Sequence, residues 1–266
     1  MFRQRNSFGC ILRMIPFELP TAEELNIPSQ VVSLASCERG LVLIAGNSGS
    51  GKTTTMAVLL REISRLRPGG LIITLDNPLE YLHHHDKAMI IQREIYTDTR
   101  DYASGIASSF YQRPDVMMVS DVPDAQVARS LLQVAQSGRL LVTSVYGGSA
   151  VDALRGFLNM YPRDEQDGAC VMLADVLRAV VFQCLVPDLT GKLVPAFEVV
   201  GMEETLSAML REKRLEDLQT AIQGSRTNTV VSLDRSLADL YRQQKISRET
   251  VLKNAVNRNS ILRQLY

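Results

Sequence analysis

The segment Gly46-Asn47-Ser48-Gly49-Ser50-Gly51-Lys52-Thr53-Thr54 concentrates more chemistry than any other stretch of the chain. It fits the spacing G-x-x-x-x-G-K-[ST], with Gly46, Gly51, Lys52 and Thr53 at the defining positions. Glycines placed this way let successive backbone N–H groups turn inward around phosphate oxygens, and a helix that starts at the lysine adds the positive end of its dipole. Lys52 then reaches the outer phosphates, and the Thr53 hydroxyl can ligate Mg2+. By average residue frequencies the pattern arises by chance in about one chain of this length in a hundred. Weighed against a glycine-rich turn with a stray lysine, the spacing points to a nucleoside triphosphate and Mg2+, with Gly46 to Thr54 as the binding residues.

The stretch VMMVSD, Val116 to Asp121, reads as a buried strand that ends in an acid, so Asp121 is a second candidate for Mg2+ beside Thr53. The chain's three histidines are adjacent, His83, His84 and His85. Three neighbouring side chains on one surface turn are expected to be solvated rather than to hold a metal. Cys10, Cys37, Cys170 and Cys184 form no C-x-x-C pair and read as reduced thiols.

These groups need a scaffold, and the hydrophobic pattern supplies one. Short continuous apolar runs at Gly40–Gly46, Leu71–Leu75, Ala88–Gln92, Val116–Ser120 and Leu140–Val145 alternate with helical stretches such as DAQVARSLLQVAQ. That alternation predicts an α/β fold with a mainly parallel sheet covered on both faces. VVFQCLV and LVPAFEVV flank PDLTGK, a hairpin signal near the sheet edge. From Glu203 onward the pattern is helical, with breaks near Gly224 and Lys245. The expected divisions are a lead-in over 1–38, a nucleotide-binding domain over 39–202 and a helical subdomain over 203–266.

Lys+Arg and Asp+Glu are both 29 in 266 residues, and the balance argues against nucleic acid as the main partner. No apolar run approaches the roughly 18 to 20 residues of a membrane span. The basic start is a poor signal peptide because Arg13 interrupts its apolar segment. A cytoplasmic protein is expected.

With the phosphate loop placed, the flanking motifs resemble the secretion and pilus ATPase superfamily, specifically its PilT-like twitching-motility branch. RMIPFELPTAEELNIP resembles the family's lead-in, ITLDNPLEY its aspartate box, IIQREIYTDT the next strand, RPDVMMVSD its Walker B strand and SGRLLVTSVYGGSA its histidine box. YPRDEQ, LADVLRAVVFQCL, AMLREKRLEDLQTAIQ and SLDRSLADLYRQQKISRETVLKNA continue the match in order. The resemblance implies a RecA-like P-loop core and an ATPase working beneath the bacterial inner membrane. Implied partners are a membrane platform protein of a pilus or secretion system and a complete paralogous motor. It also implies a hexamer built through a preceding domain of roughly a hundred residues, of which MFRQRNSFGCIL resembles only the last strand. Weak self-association is therefore expected of this chain alone.

The resemblance assigns catalytic roles to Asp76, Glu80 and Asp121. Asp76 and Asn77 stand where the family has Glu-Asp, and Ser120 and Asp121 where it has Gly-Glu. Each change keeps a carboxylate but shortens it by one methylene, and a displacement of about 1 Å can lower a rate on the order of a hundredfold. The family's two histidines fall on Arg139 and Tyr146, and three of its arginines on Ala107, Tyr111 and Pro123. Arg113 and Arg139 are the candidate substitutes for the lost cations. Leu210, Arg211 and Glu212 match a motif linked to retraction coupling, though an amphipathic helix explains them equally. Two readings stay open: a motor that hydrolyses ATP at reduced rate, and a nucleotide-binding pseudo-ATPase that serves a competent motor.

Overall fold

The computed structural model describes residues 1–11, 18–225, 227–258 and 261–262. Much of the lead-in motif, residues 12–17, lies outside that set. The strands are β1 (Phe2–Gln4), β2 (Ser7–Gly9), β3 (Gly40–Ala45), β4 (Leu71–Asp76), β5 (Met89–Glu94), β6 (Val116–Val119), β7 (Leu140–Val145), β8 (Leu177–Pro187), β9 (Leu193–Gly201) and β10 (Val230–Val231). The helices are α1 (Ser29–Ser33), α2 (Lys52–Leu66), α3 (Tyr102–Tyr111), α4 (Ala125–Gln136), α5 (Ala150–Asn159), α6 (Gln166–Val176), α7 (Glu204–Arg211), α8 (Leu215–Gly224), α9 (Leu233–Arg242) and α10 (Arg248–Asn254).

Eight strands form the main sheet in the order β10-β9-β8-β3-β7-β6-β4-β5. Pairings from β8 across to β5 are parallel, whereas β8–β9 and β9–β10 are antiparallel. The expected hairpin is β8–β9, and Asp188 organises its turn by accepting from the backbone N–H groups of Thr190 and Lys192. All six residues of β3 are buried. Alternation divides them between two cores: Leu41, Leu43 and Ala45 face the layer of α4 to α6, and Val42 and Ile44 face α2.

The lead-in packs under α2, where Ala22, Ile27, Val31 and Ala35 are buried in the second core. Before it, β1 and β2 form an exposed hairpin whose turn residues Arg5 and Asn6 both have positive φ, the signature of a tight type I′ connection. Residues beyond 203 differ from the all-helical expectation. Val230–Val231 adds an antiparallel strand beside β9, and Leu206, Leu218, Leu237 and Val251 share the first core with the nucleotide-binding layers.

One buried acid ties these parts together. Glu198 on β9 accepts backbone hydrogen bonds from Ala150 and Leu233, the first residues of α5 and α9. A carboxylate there meets two helix N-termini at once, which satisfies orphan donors and the dipoles together.

Candidate functional site

The phosphate-loop residues connect β3 to α2 in the strand–loop–helix order their chemistry requires. Gly46 has φ 153° and Gly51 has φ 88°. A Cβ at Gly46 would collide with Ser50 Oγ and the Gln183 carbonyl, and one at Gly51 would stand 2.8 Å from Gln183 Nε2. Both glycines therefore admit a conformation and a close approach that a side chain would block. Gln183, buried on β8, accepts from Thr55 Oγ1 at 2.6 Å, so it braces the loop and the first turn of α2 from below. Ser50 Oγ is buried in the loop and has no partner among the described residues.

Ser48 through Thr54 line one side of a cleft of about 560 Å³, and Asn77, Pro78, Glu80, Ser120, Asp121, Ser144 and Tyr146 line the rest. Gly46 and Asn47 stay in contact with it through Lys52, whose Nζ donates to the carbonyls of Gly46 (2.9 Å) and Asn47 (3.0 Å). The same ammonium lies 4.6 Å from the centre of the Tyr146 ring. Partial burial lowers the Lys52 pKa, and the nearby Asp121 carboxylate opposes that shift. Thr54 Oγ1 is 2.9 Å from Tyr81 OH, which pins the opening turn of α2 to the segment after β4.

The three candidate carboxylates are not equivalent. Glu80 and Asp121 line the cleft. Asp76 does not: it is 6% exposed and accepts from Thr74 Oγ1 at 2.6 Å inside the sheet end. Burial pushes its carboxyl up to about 6; the Thr74 bond opposes this, and Glu80 and Glu94 add to it. Asp121 Oδ1 accepts from the N–H of Val122. Thr53 and Asp121 offer the hard oxygen donors that Mg2+ takes, so the residues present fit the ion. No cluster of three or more His, Cys, Asp or Glu among the described residues is arranged as a metal site. Phosphate and water would complete the coordination, as is usual for Mg2+.

The candidate substitute cations lie elsewhere. Arg113 is exposed, and Arg139 stacks on Phe110 at 4.5 Å while Nη1 donates to Ser137. Lys52 is the one cation among the described residues that line the cleft. The histidines are more tied down than a solvated turn suggests. The backbone N–H of His83 donates to Gln92, and His85 Nδ1 accepts from Ile90. Burial, with Arg61 and His84, depresses His83 to about 4. Leu210 is buried, whereas Arg211 and Glu212 are exposed and pair with Asp175 and Arg214.

Tyr146, Ser120 and Gln183 were not among the sequence-derived site residues. All three lie within motifs that were recognised, and Gln183 sits 128 residues from its partner Thr55.

A phosphate loop at the end of a central parallel strand, facing a carboxylate on a strand two places away, defines a P-loop nucleotide-binding protein of the RecA-like α/β class. The family model for Type II/IV secretion system protein matches residues 22–264, and the chain belongs to that family. It is 31% identical over 261 residues to the type IV pilus ATPase PilU of Pseudomonas aeruginosa, covering 98% of this chain and 68% of that one. The type IV pilus retraction ATPase PilT of the same organism is 29% identical over 254 residues, covering 96% and 74%. Among solved structures, the pilus retraction motor PilT with bound ADP superposes with a TM-score of 0.86 at 27% identity, over 94% of this chain and 71% of that one. Among the described residues no helix is long and apolar enough to cross a membrane.

Proposed function

We propose that the chain binds Mg2+-ATP in the cleft and hydrolyses it slowly to ADP and phosphate, as a motor subunit of a type IV pilus or related secretion system. The observation that carries the reading is the cleft itself: an intact phosphate loop with Lys52 and Thr53 faces two carboxylates, Glu80 and Asp121, across about 560 Å³. The likeness to the PilU and PilT ATPases supports the pilus assignment.

In this reading the loop amides from Gly46 to Thr54 cradle the phosphates. Lys52 leaves its own loop carbonyls and neutralises the outer phosphate oxygens. Thr53 and Asp121 would hold Mg2+, which would supply charge neutralisation to the phosphates. Glu80 orients the attacking water and accepts its proton; the water oxygen bonds to the terminal phosphorus as the bond to the diphosphate oxygen breaks. Asp76, turned into the protein, tunes the field at this wall rather than meeting the water. Phosphoryl transfer is catalysed by positioning and charge neutralisation, and a second cation can be worth ~10³–10⁵ in rate. With Lys52 the one cation among the described residues that line the cleft, turnover is slow.

That same scarcity of cations supports the second reading, a nucleotide-holding subunit that partners a competent motor. Both readings place the chain on the cytoplasmic side of the inner membrane, against a platform protein. Equilibrium binding of a fluorescent ATP analogue tests the shared step. Binding by the wild type and its loss in Lys52→Ala are expected, and equal affinity of the two proteins would refute the site.

A further inference from the structure

Ser120 is the residue where three elements meet at the mouth of the cleft. Its Oγ lies 2.8 Å from Tyr102 OH on α3 and accepts from the backbone N–H of Asn77 at 3.2 Å. Its own N–H donates to the Leu75 carbonyl, and its carbonyl accepts from Ser144 Oγ on β7 at 2.7 Å. Asp121 follows it directly, while Asn77 opens the turn that carries Glu80. One hydroxyl thus joins the two segments that present the cleft carboxylates.

We propose that Ser120, held in place by Tyr102, is a positioning residue that sets the separation of Glu80 and Asp121 across the nucleotide cleft. The inference rests on the reading of the cleft as an ATP-hydrolysing site.

The chemistry of the pair suits the task. Asn77 supplies one donor, and the two hydroxyls share a further hydrogen bond in which either can donate. Burial, with smaller contributions from Asp121, Asp76 and Tyr96, pushes the Tyr102 hydroxyl up to about 12 against the pull of the Ser120 bond. It therefore stays protonated at any working pH. A glycine at 120 would offer no atom to either partner and leave the Asn77 turn tied to β6 by nothing at this point. Glu80 and Asp121 would then lose this shared tie, and a relative shift of about 1 Å lowers a rate on the order of a hundredfold. The phosphate loop is braced separately from below, by Gln183 on β8, so the cradle does not rest on this hydroxyl.

The test uses the full chain and four proteins: wild type, Ser120→Ala, Ser120→Thr and Tyr102→Phe. Affinity for a labelled ATP analogue is measured in EDTA and in Mg2+, and kcat and KM for hydrolysis are measured in Mg2+. Ser120→Ala is expected to keep the EDTA affinity within about twofold, to lose most of the gain that Mg2+ confers, with KM in Mg2+ rising to match, and to lower kcat about tenfold or more. Ser120→Thr, which retains the hydroxyl, restores both; Tyr102→Phe falls between. Unchanged Mg2+ dependence and kcat in Ser120→Ala overturn the positioning role alone. So does an equal loss of affinity in EDTA, which marks general disruption. A wild type that binds ATP without turnover overturns hydrolysis, and the Mg2+-dependent gain then reads the positioning role by itself. A wild type that binds no ATP overturns both.

Discussion

The Lys52 ammonium rests 4.6 Å from the centre of the Tyr146 ring while donating to the carbonyls of Gly46 and Asn47. The lysine that must meet a phosphate is thus occupied by its own surroundings. Tyr146 is 59% exposed, which puts the ring contact at the weaker end for a cation on an aromatic face, about 0.5–1 kcal/mol. Removing the ring should make the ammonium easier to recruit. Tyr146→Ala is predicted to bind a labelled ATP analogue about two- to fivefold more tightly, and Tyr146→Phe to match the wild type. Weaker binding by Tyr146→Ala would mean that the ring contacts the nucleotide instead.

A second prediction concerns Asp76 and pH. Its carboxyl is raised from 3.8 to about 6 in the fold, chiefly by burial, which corresponds to about 3 kcal/mol. At about pH 2.5 and below the group is neutral both folded and unfolded, so it has no effect on stability there. Between the unfolded value of 3.8 and the folded value of about 6 the unfolded chain ionises first, so stability falls as pH rises through that window and the full penalty holds above it. Asp76→Asn should therefore raise the unfolding free energy by up to about 3 kcal/mol at pH 7.5 and leave it nearly unchanged at about pH 2.5. Urea unfolding at the two pH values checks this; an equal effect at both would contradict the burial argument.

The brace beneath the phosphate loop makes a third. Gln183→Leu removes the acceptor for Thr55 Oγ1 and leaves a buried hydroxyl unsatisfied. A loss of about 1–3 kcal/mol in stability is expected, with weaker ATP-analogue binding as the loop loses its support. A variant of native stability and native affinity would show that the contact is incidental.

A fourth tests how the C-terminal region is attached. Glu198→Ala strips the shared acceptor from the first turns of α5 and α9. About 2–4 kcal/mol of stability should be lost, since two buried backbone donors lose their acceptor. Hydrogen exchange should rise in both helices. Faster exchange in α9 alone would show that the bond to Ala150 contributes nothing.

How legible was all this in the residues? The strands read well because continuous apolar runs bounded by loops are what a sheet covered on both faces demands, and the phosphate loop read well because its constraint is local. Orientation at strand ends was not legible. In a fully buried strand both faces are apolar, so the run preceding Asp76 carries no sign of which side the acid takes. Glu80 lines the cleft while Asp76 turns inward, and only the packed sheet decides that. Gln183 was hidden for a different reason: a buried amide in an apolar strand announces a partner, but nothing local says that the partner is Thr55. β10 is two residues long, too short for any period to register. Ser120 lies in a motif that was recognised and Tyr102 between two of them, yet their hydrogen bond joins elements that meet only after β6 and α3 have packed.

The account stands most directly on a single-turnover measurement of phosphate release from labelled ATP in Mg2+, run on the wild type and on Lys52→Ala. Slow release by the wild type, at least about tenfold above Lys52→Ala, is the predicted result, since loss of one phosphate-stabilising group typically lowers such rates by ten- to a thousandfold or more. Identical release from the two proteins, with ATP bound by the wild type, would contradict hydrolysis in this cleft and leave a nucleotide-holding subunit in its place.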